Sequence, residues 1–233
     1  MSMMFHPGQE RGHANHGWLD THHSFSFARW HHPGHMGIGP LRVLNQDRIV
    51  GGSGFPSHGH RDMEIISIVL EGALEHRDSS GNHTVIEPGE IQVMSAGTGV
   101  THSEMNHLAT TTTEFLQIWV HPDRRGLPMS YQQRRLDPKV IDAFPVLLSP
   151  DGRGASLRLH QDALVLGGSF NEGVHANHRI PSDRVGYVHL SKGRARINGR
   201  EFEAGDGAYL PSGGEVELLG SAPGHVLIFD LCT

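Results

Sequence analysis

Apolar positions along the chain come mostly in short runs, and turn residues separate most of them at the spacing of an all-β sandwich or barrel. A first series of predicted strands covers Ser24–Ala28, Leu41–Val50, Glu64–Leu70, Ala73–Arg77, Thr84–Ile86, Ile91–Met94 and Glu114–Val120. A second covers Ser156–His160, Leu164–Ser169, Val185–Leu190, Arg194–Ile197, Glu201–Glu203, Ala208–Leu210, Glu215–Leu219 and Val226–Asp230. Asn198-Gly199 joins two of these as a hairpin, because Asn-Gly supplies the positive φ angles of a type I′ turn. Ser79 to Asn82 is read as a similar turn. Between the series, Pro122 to Phe144 is polar and rich in Arg and Gln; it is read as a linker with a short helix capped by Asp137 and opened by Pro138.

The two series resemble each other. Gly72 with Ala73–Arg77 matches Gly193 with Arg194–Asn198, and Pro88-Gly89-Glu90 matches Ala204-Gly205-Asp206. Met94 to Gly97 matches Leu210 to Gly213. The expectation is a tandem pair of small barrels, residues 1–135 and 136–233.

Composition sharpens this picture. The 30 Gly and 13 Pro among 233 residues favour turns and short strands over long helices. Net charge is −6, and residues 1–121 hold all of it: 6 Arg, no Lys and 12 acidic residues. Such a surface argues against direct nucleic-acid binding, which needs a basic stripe. A single cysteine, Cys232, allows no intrachain disulfide. Met1 to Trp18 has neither the basic nor the apolar region of a secretory signal, and Ile65 to Leu70 is far too short to span a membrane. A cytoplasmic monomer is expected. No Gly-x-Gly-x-x-Gly and no phosphate loop is present.

The chain has 20 His, 15 of them in residues 1–121, and this crowding asks for a local cause. In a strand, residues two apart share a face, so His58, His60 and Glu64 are expected to point inward together. His102-Ser103-Glu104 repeats that geometry after the Gly97-Thr98-Gly99 loop. Two such pairs on neighbouring strands supply imidazoles and carboxylate for a redox-capable divalent metal. Matching each segment without gaps places His58 and His60 on Arg179 and Pro181, and His102 and Glu104 on Leu218 and Gly220, so the second barrel is expected to lack ligands. His175 and His178, three apart, are read as surface or hydrogen-bonded residues. His13 and His16 either line the first barrel's entrance or hold a loop. His22, His23, His31 and His32 are read as solvated, and Trp18, Phe25, Phe27 and Trp119 as core.

The segments Gly52 to Glu64 and Gly97 to Asn106 resemble the two cupin motifs, with Gly97 where that pattern usually has Pro. Together with Arg11 to Asp20, Leu41 to Asn45, Gln117 to Trp119 and Tyr131 to Arg135, they resemble the pirin family and its bacterial quercetin 2,3-dioxygenase-like branch. The resemblance implies a tandem-cupin fold with one metal per chain, held by His58, His60, His102 and Glu104. Glu104 then replaces the carboxylate of the generic cupin pattern, Glu64, which is left as a hydrogen-bond partner of a ligand His or a strand carboxylate without a role. Iron is the expected metal, with nickel, copper, cobalt or zinc able to substitute.

The implied activity is oxidative opening of a flavonol such as quercetin by O₂ with release of carbon monoxide. Glu104 would be the base for the flavonol hydroxyl. The alternative implied by the family is a metal-dependent regulatory protein that binds a protein partner; a His-rich metal-holding protein is a third reading.

Overall fold

The computed structural model of the chain describes residues 3–136, 139–140 and 142–233. The helix expected at Asp137 and Pro138 lies outside these. Among the described residues the architecture is all-β, with one 3₁₀ turn at Gly8–Glu10 as the sole helical element.

The first barrel is made of two sheets. The seven-stranded sheet runs, in spatial order, Ser130–Arg135, Glu90–Ser95, Glu64–Glu71, Thr113–Val120, Leu41–Ile49, Leu19–His23 and Gly12–Asn15. Against it stands a four-stranded sheet of Gly54–His60, Val100–Asn106, Leu74–Asp78 and His83–Ile86. Alternation sorts the larger sheet's side chains. One register row, Leu44–Ile118–Ile66–Val93, belongs to the apolar cluster that also holds Leu148, Val165, Tyr187 and Phe229 of the C-terminal half. This cluster joins the two halves. The neighbouring row, Asn45–Gln117–Ser67–Gln92, faces the other way, into the first barrel.

The second barrel is one nine-stranded sheet built on two long strands, Val185–Ile197 and Gly214–Leu231. Four of the predicted strands merge here, because register shifts let one strand bend and continue where two were expected. Asn198 and Gly199 have φ of 47° and 78°, as the predicted hairpin requires. One strand crosses between halves: Met4–His6 pairs with Gly207–Leu210 of the C-terminal sheet.

Two local expectations need correction. Ser24–Ala28 is not a strand: Phe25 is fully buried, but the chain turns at Ala28 (φ 51°), and the strand lies earlier, at Leu19–His23. Within the expected linker, Ser130–Arg135 forms a strand through its register with Glu90–Ser95. Backbone pairing at a sheet edge does not need apolar alternation, so the polar run concealed it.

Candidate metal centre

Gly54–His60 and Val100–Asn106 lie antiparallel with His102 opposite His58 and Val100 opposite His60. The pairing brings three imidazoles to one place: a ligand nitrogen of each of His58, His60 and His102 lies within 4.8 Å of the other two. His58 Nδ1 donates to the Pro56 carbonyl at 2.8 Å, which leaves the Nε2 lone pair free. That atom faces His102 Nε2 at 3.1 Å. His102 is 1% exposed, and its Nδ1 has no hydrogen-bond partner.

Burial pulls the pKa of His102 down to about 3, with further lowering from His58, His60 and His76. Burial and the neighbouring His58 bring His60 to about 4. Both rings are therefore neutral at pH 7, and a divalent cation fits these converging lone pairs, since neutral imidazole is a preferred ligand of borderline transition metals.

Glu104 is buried on the same strand as His102. Its Oε1 accepts from Ser67 Oγ at 3.0 Å and its Oε2 from Gln117 Nε2 at 2.6 Å. Burial raises its pKa to about 7 against the pull of those two hydrogen bonds. Asp47, on the inner face nearby, is also raised to about 7 by burial, with Glu104 adding to the rise. The trio of donors that includes Glu104 is completed by His102 and His76 rather than by His58 and His60. His102 belongs to both trios and so stands between the imidazole group and Glu104.

Sequence reasoning missed His76. It is fully buried, its Nε2 lies 3.1 Å from Asp78 Oδ2, and its Nδ1 is unpartnered. The i, i+2 spacing of His76 and Asp78 on a strand was a visible signal. Ser67 and Gln117, the residues that fix Glu104, gave none, because their meeting depends on the register of two distant strands.

Glu64 is corrected. It faces away from the imidazoles, on the side of Ile66, and its Oε2 accepts from Ser95 Oγ at 2.9 Å and from the His160 backbone N–H at 3.2 Å. It is therefore no partner of a ligand His. Strand parity fails here because a turn at Asp62 (φ 49°) interrupts it. His23 is likewise buried rather than solvated, with Nδ1 2.9 Å from Asn45 Oδ1. Gly97 has φ 50°, which proline cannot adopt, so the turn before the second motif differs in kind from the Pro-bearing cupin pattern.

Trp119 packs edge-on against His60, with ring centroids 4.9 Å apart, in a cluster with Ile65, Met94 and Val100. Its indole N–H is buried and unpartnered. An open recess of about 380 Å³, lined in part by His60, Arg61, Ser79 and Thr101, lies beside the imidazole group at His60. A larger cavity of about 490 Å³, lined in part by Ile68, Leu70, Phe170 and Lys192, has none of the three imidazoles on its walls, so the donor chemistry favours the smaller recess.

Two stacked β-barrels, the first with paired His-x-His and His-x-Glu strands, define a two-domain cupin. Within that class, the Pirin family profile matches residues 4–120 and the quercetinase C-terminal cupin domain profile matches residues 146–231, so the chain belongs to the pirin family. It is 42% identical over 222 residues to a quercetin 2,3-dioxygenase of Escherichia coli K12, covering 95% of each chain. It is 37% identical to a pirin-like protein of Caulobacter vibrioides, covering 96% of this chain and 97% of that one. The crystal structure of the bacterial pirin YhhW from Escherichia coli in complex with nickel(II) superposes with a TM-score of 0.92, at 40% identity and 99% coverage of both chains.

Proposed function

We propose that the chain is a metal-dependent dioxygenase that opens flavonols such as quercetin with release of carbon monoxide. His58, His60, His102 and Glu104 are assigned as the ligands of one divalent transition metal, and Glu104 also as the base for the flavonol hydroxyl. The observation that carries this reading is the convergence of three imidazole donors beside a buried carboxylate inside a barrel.

When bound, the metal would lower the pKa of the flavonol hydroxyl and bring substrate and O₂ together. The chain's own groups supply the rest. Pro56 fixes the His58 tautomer, so that Nε2 points to the ligand side. Ser67 and Gln117 aim Glu104 into the barrel, and either can keep one carboxylate oxygen when the other takes up a proton. The apolar wall of Ile65, Met94, Val100 and Trp119 suits a flat aromatic substrate and limits water. Support also comes from a relative named quercetin 2,3-dioxygenase and from the nickel complex of bacterial pirin. Iron is the metal proposed here, with nickel as substitute.

The test is loss of flavonol absorbance by metal-loaded protein under air and under argon, with His102→Ala as control. Oxygen-dependent loss that disappears in the variant is expected. Fully loaded wild type without such turnover of any flavonol would hand the lead to the regulatory reading.

A further inference from the structure

A second group of metal-type donors stands at the edge of the seven-stranded sheet. His13, on Gly12–Asn15, pairs across the ladder with His22, on Leu19–His23, and Asp20 is the diagonal neighbour of His13 on the same face. Directly opposed side chains of an antiparallel pair have β-carbons roughly 4.5–5.5 Å apart, within reach of one ion. The His13 and His22 rings stack at 4.4 Å, and His13 Nε2 lies 2.7 Å from Asp20 Oδ1. One donor atom from each of the three lies within 4.8 Å of the other two.

This trio is separate from the barrel site. His22 lies opposite Gln46, whose amide donates to the Ser191 carbonyl of the other barrel. His23, the next residue, turns to the inner face and meets Asn45. The trio therefore occupies the outer face of the strand pair that presents His23 inward.

Two imidazoles and one carboxylate suit zinc, copper or nickel; calcium and magnesium want more oxygen ligands. Burial, with the nearby Arg11 adding, lowers the His22 pKa and so favours the neutral ring that ligates a metal. Asp20 offsets part of the cation's charge. Arg48, opposite Asp20, is paired to Glu114 at 3.0 Å, and Arg11, which donates to the His22 carbonyl, weakens the site without blocking it. The side chains of His13 and Asp20 are 51% and 39% exposed, so water can fill the remaining positions.

We propose that His13, Asp20 and His22 form a second, solvent-facing site for a zinc-class cation that clips the edge hairpin of the first barrel. Tag-free, chelator-stripped protein titrated with Zn²⁺ by equilibrium dialysis and elemental analysis tests it. His13→Ala/His22→Ala should bind one equivalent fewer than wild type in the micromolar range. His58→Ala/His60→Ala should keep that equivalent, and Zn²⁺ should still raise its thermal midpoint until His22→Ala is added. Circular dichroism confirms the fold of each variant. Equal zinc on wild type and the hairpin variant, or half-saturation only at millimolar zinc, overturns the proposal as adventitious binding.

Discussion

The two barrels share a ladder plan and fill it oppositely. The first lines its interior with Asn45, Gln117, Ser67, Gln92, Glu104, His76 and His102. The second fills its own with Val188, Leu190, Ala195, Phe202, Val216, Leu218 and Ile228. If Leu218 stands where His102 does, its cross-strand partner Ala176 stands where His58 does, and His178, opposite Val216, stands where His60 does. This register replaces Arg179 and Pro181 of the ungapped match, since turns of unequal length shift the count. The one imidazole that survives is tied down: His178 Nε2 lies 3.0 Å from Asp230, which Arg184 also contacts. Among the buried polar atoms without partners, both amide atoms of Gln92, Nδ1 of His76 and His102 and Nε1 of Trp119 belong to the first barrel, while both ring nitrogens of His189 belong to the C-terminal sheet. Each costs about 1–3 kcal/mol if it stays unmet. One barrel is packed for stability; the other gives up packing to keep open donors around a site.

The largest effect should come from exchanging those roles. His102→Ala should lose the barrel metal and bring oxygen-dependent quercetin loss to background. The matched change Leu218→Ala should cost about 2–5 kcal/mol in urea unfolding while turnover per folded molecule is kept. Activity lost with Leu218→Ala and retained with His102→Ala would end the division of labour. Next in size, Glu104→Gln should slow turnover about 10²–10⁴-fold, as expected for loss of a general base, with a smaller loss of metal. Glu64→Gln should leave rate and metal alone and lower stability by about 1–3 kcal/mol, because its partners are Ser95 and His160. Should Glu64→Gln strip the metal while Glu104→Gln keeps it, the carboxylate assignment is reversed.

Chelation sharpens the comparison through stability. Binding to the folded state alone stabilises by about 2.7 kcal/mol at a hundredfold excess over Kd, or about 5–10 °C for a chain of this size. Chelator should therefore lower the midpoint of iron-loaded wild type and Leu218→Ala and, with zinc left out so that the hairpin site stays empty, leave His102→Ala where it was. A midpoint that chelator does not move in wild type would mean that the first barrel holds its shape without metal.

What could be read from the chain, and what could not, follows the same divide. Period-two spacing was enough to put His58 beside His60, and His102 beside Glu104, because each pair sits within one strand, and Asn198-Gly199 carries its own turn geometry. Glu64 was misread because the same arithmetic was carried across the turn at Asp62. The anchors of Glu104, the crossing of Met4–His6 into the C-terminal sheet, and the alignment of Ala176 with His58 all depend on register between distant strands. Local pattern holds no such information. His76 was legible in principle, since His76-x-Asp78 has the spacing of the recognised pairs, and nothing in the adjacent sequence marked it as special.

A further expected effect concerns acid. Burial, with Lys192 adding, pulls the pKa of His225 in the second barrel down to about 4, and Ser191 Oγ lies 2.7 Å from its Nδ1. The unfolded chain holds this ring near 6.5, so between the two values the unfolded state binds more protons. Stability from His225 is then complete above pH 6.5 and is lost as the pH falls toward 4, on the order of 3 kcal/mol over the whole window. His60 and His102, lowered to about 4 and about 3, contribute with the same sign from the first barrel once metal is removed. Urea midpoints of chelated protein between pH 7 and 4.5 should therefore fall in wild type and fall less steeply in His225→Gln, which removes one part of the second barrel's share and leaves that of the buried His189. If His225→Gln follows the wild-type curve in parallel, His225 carries none of the acid response, which then rests with the other buried imidazoles, His189 of the second barrel among them.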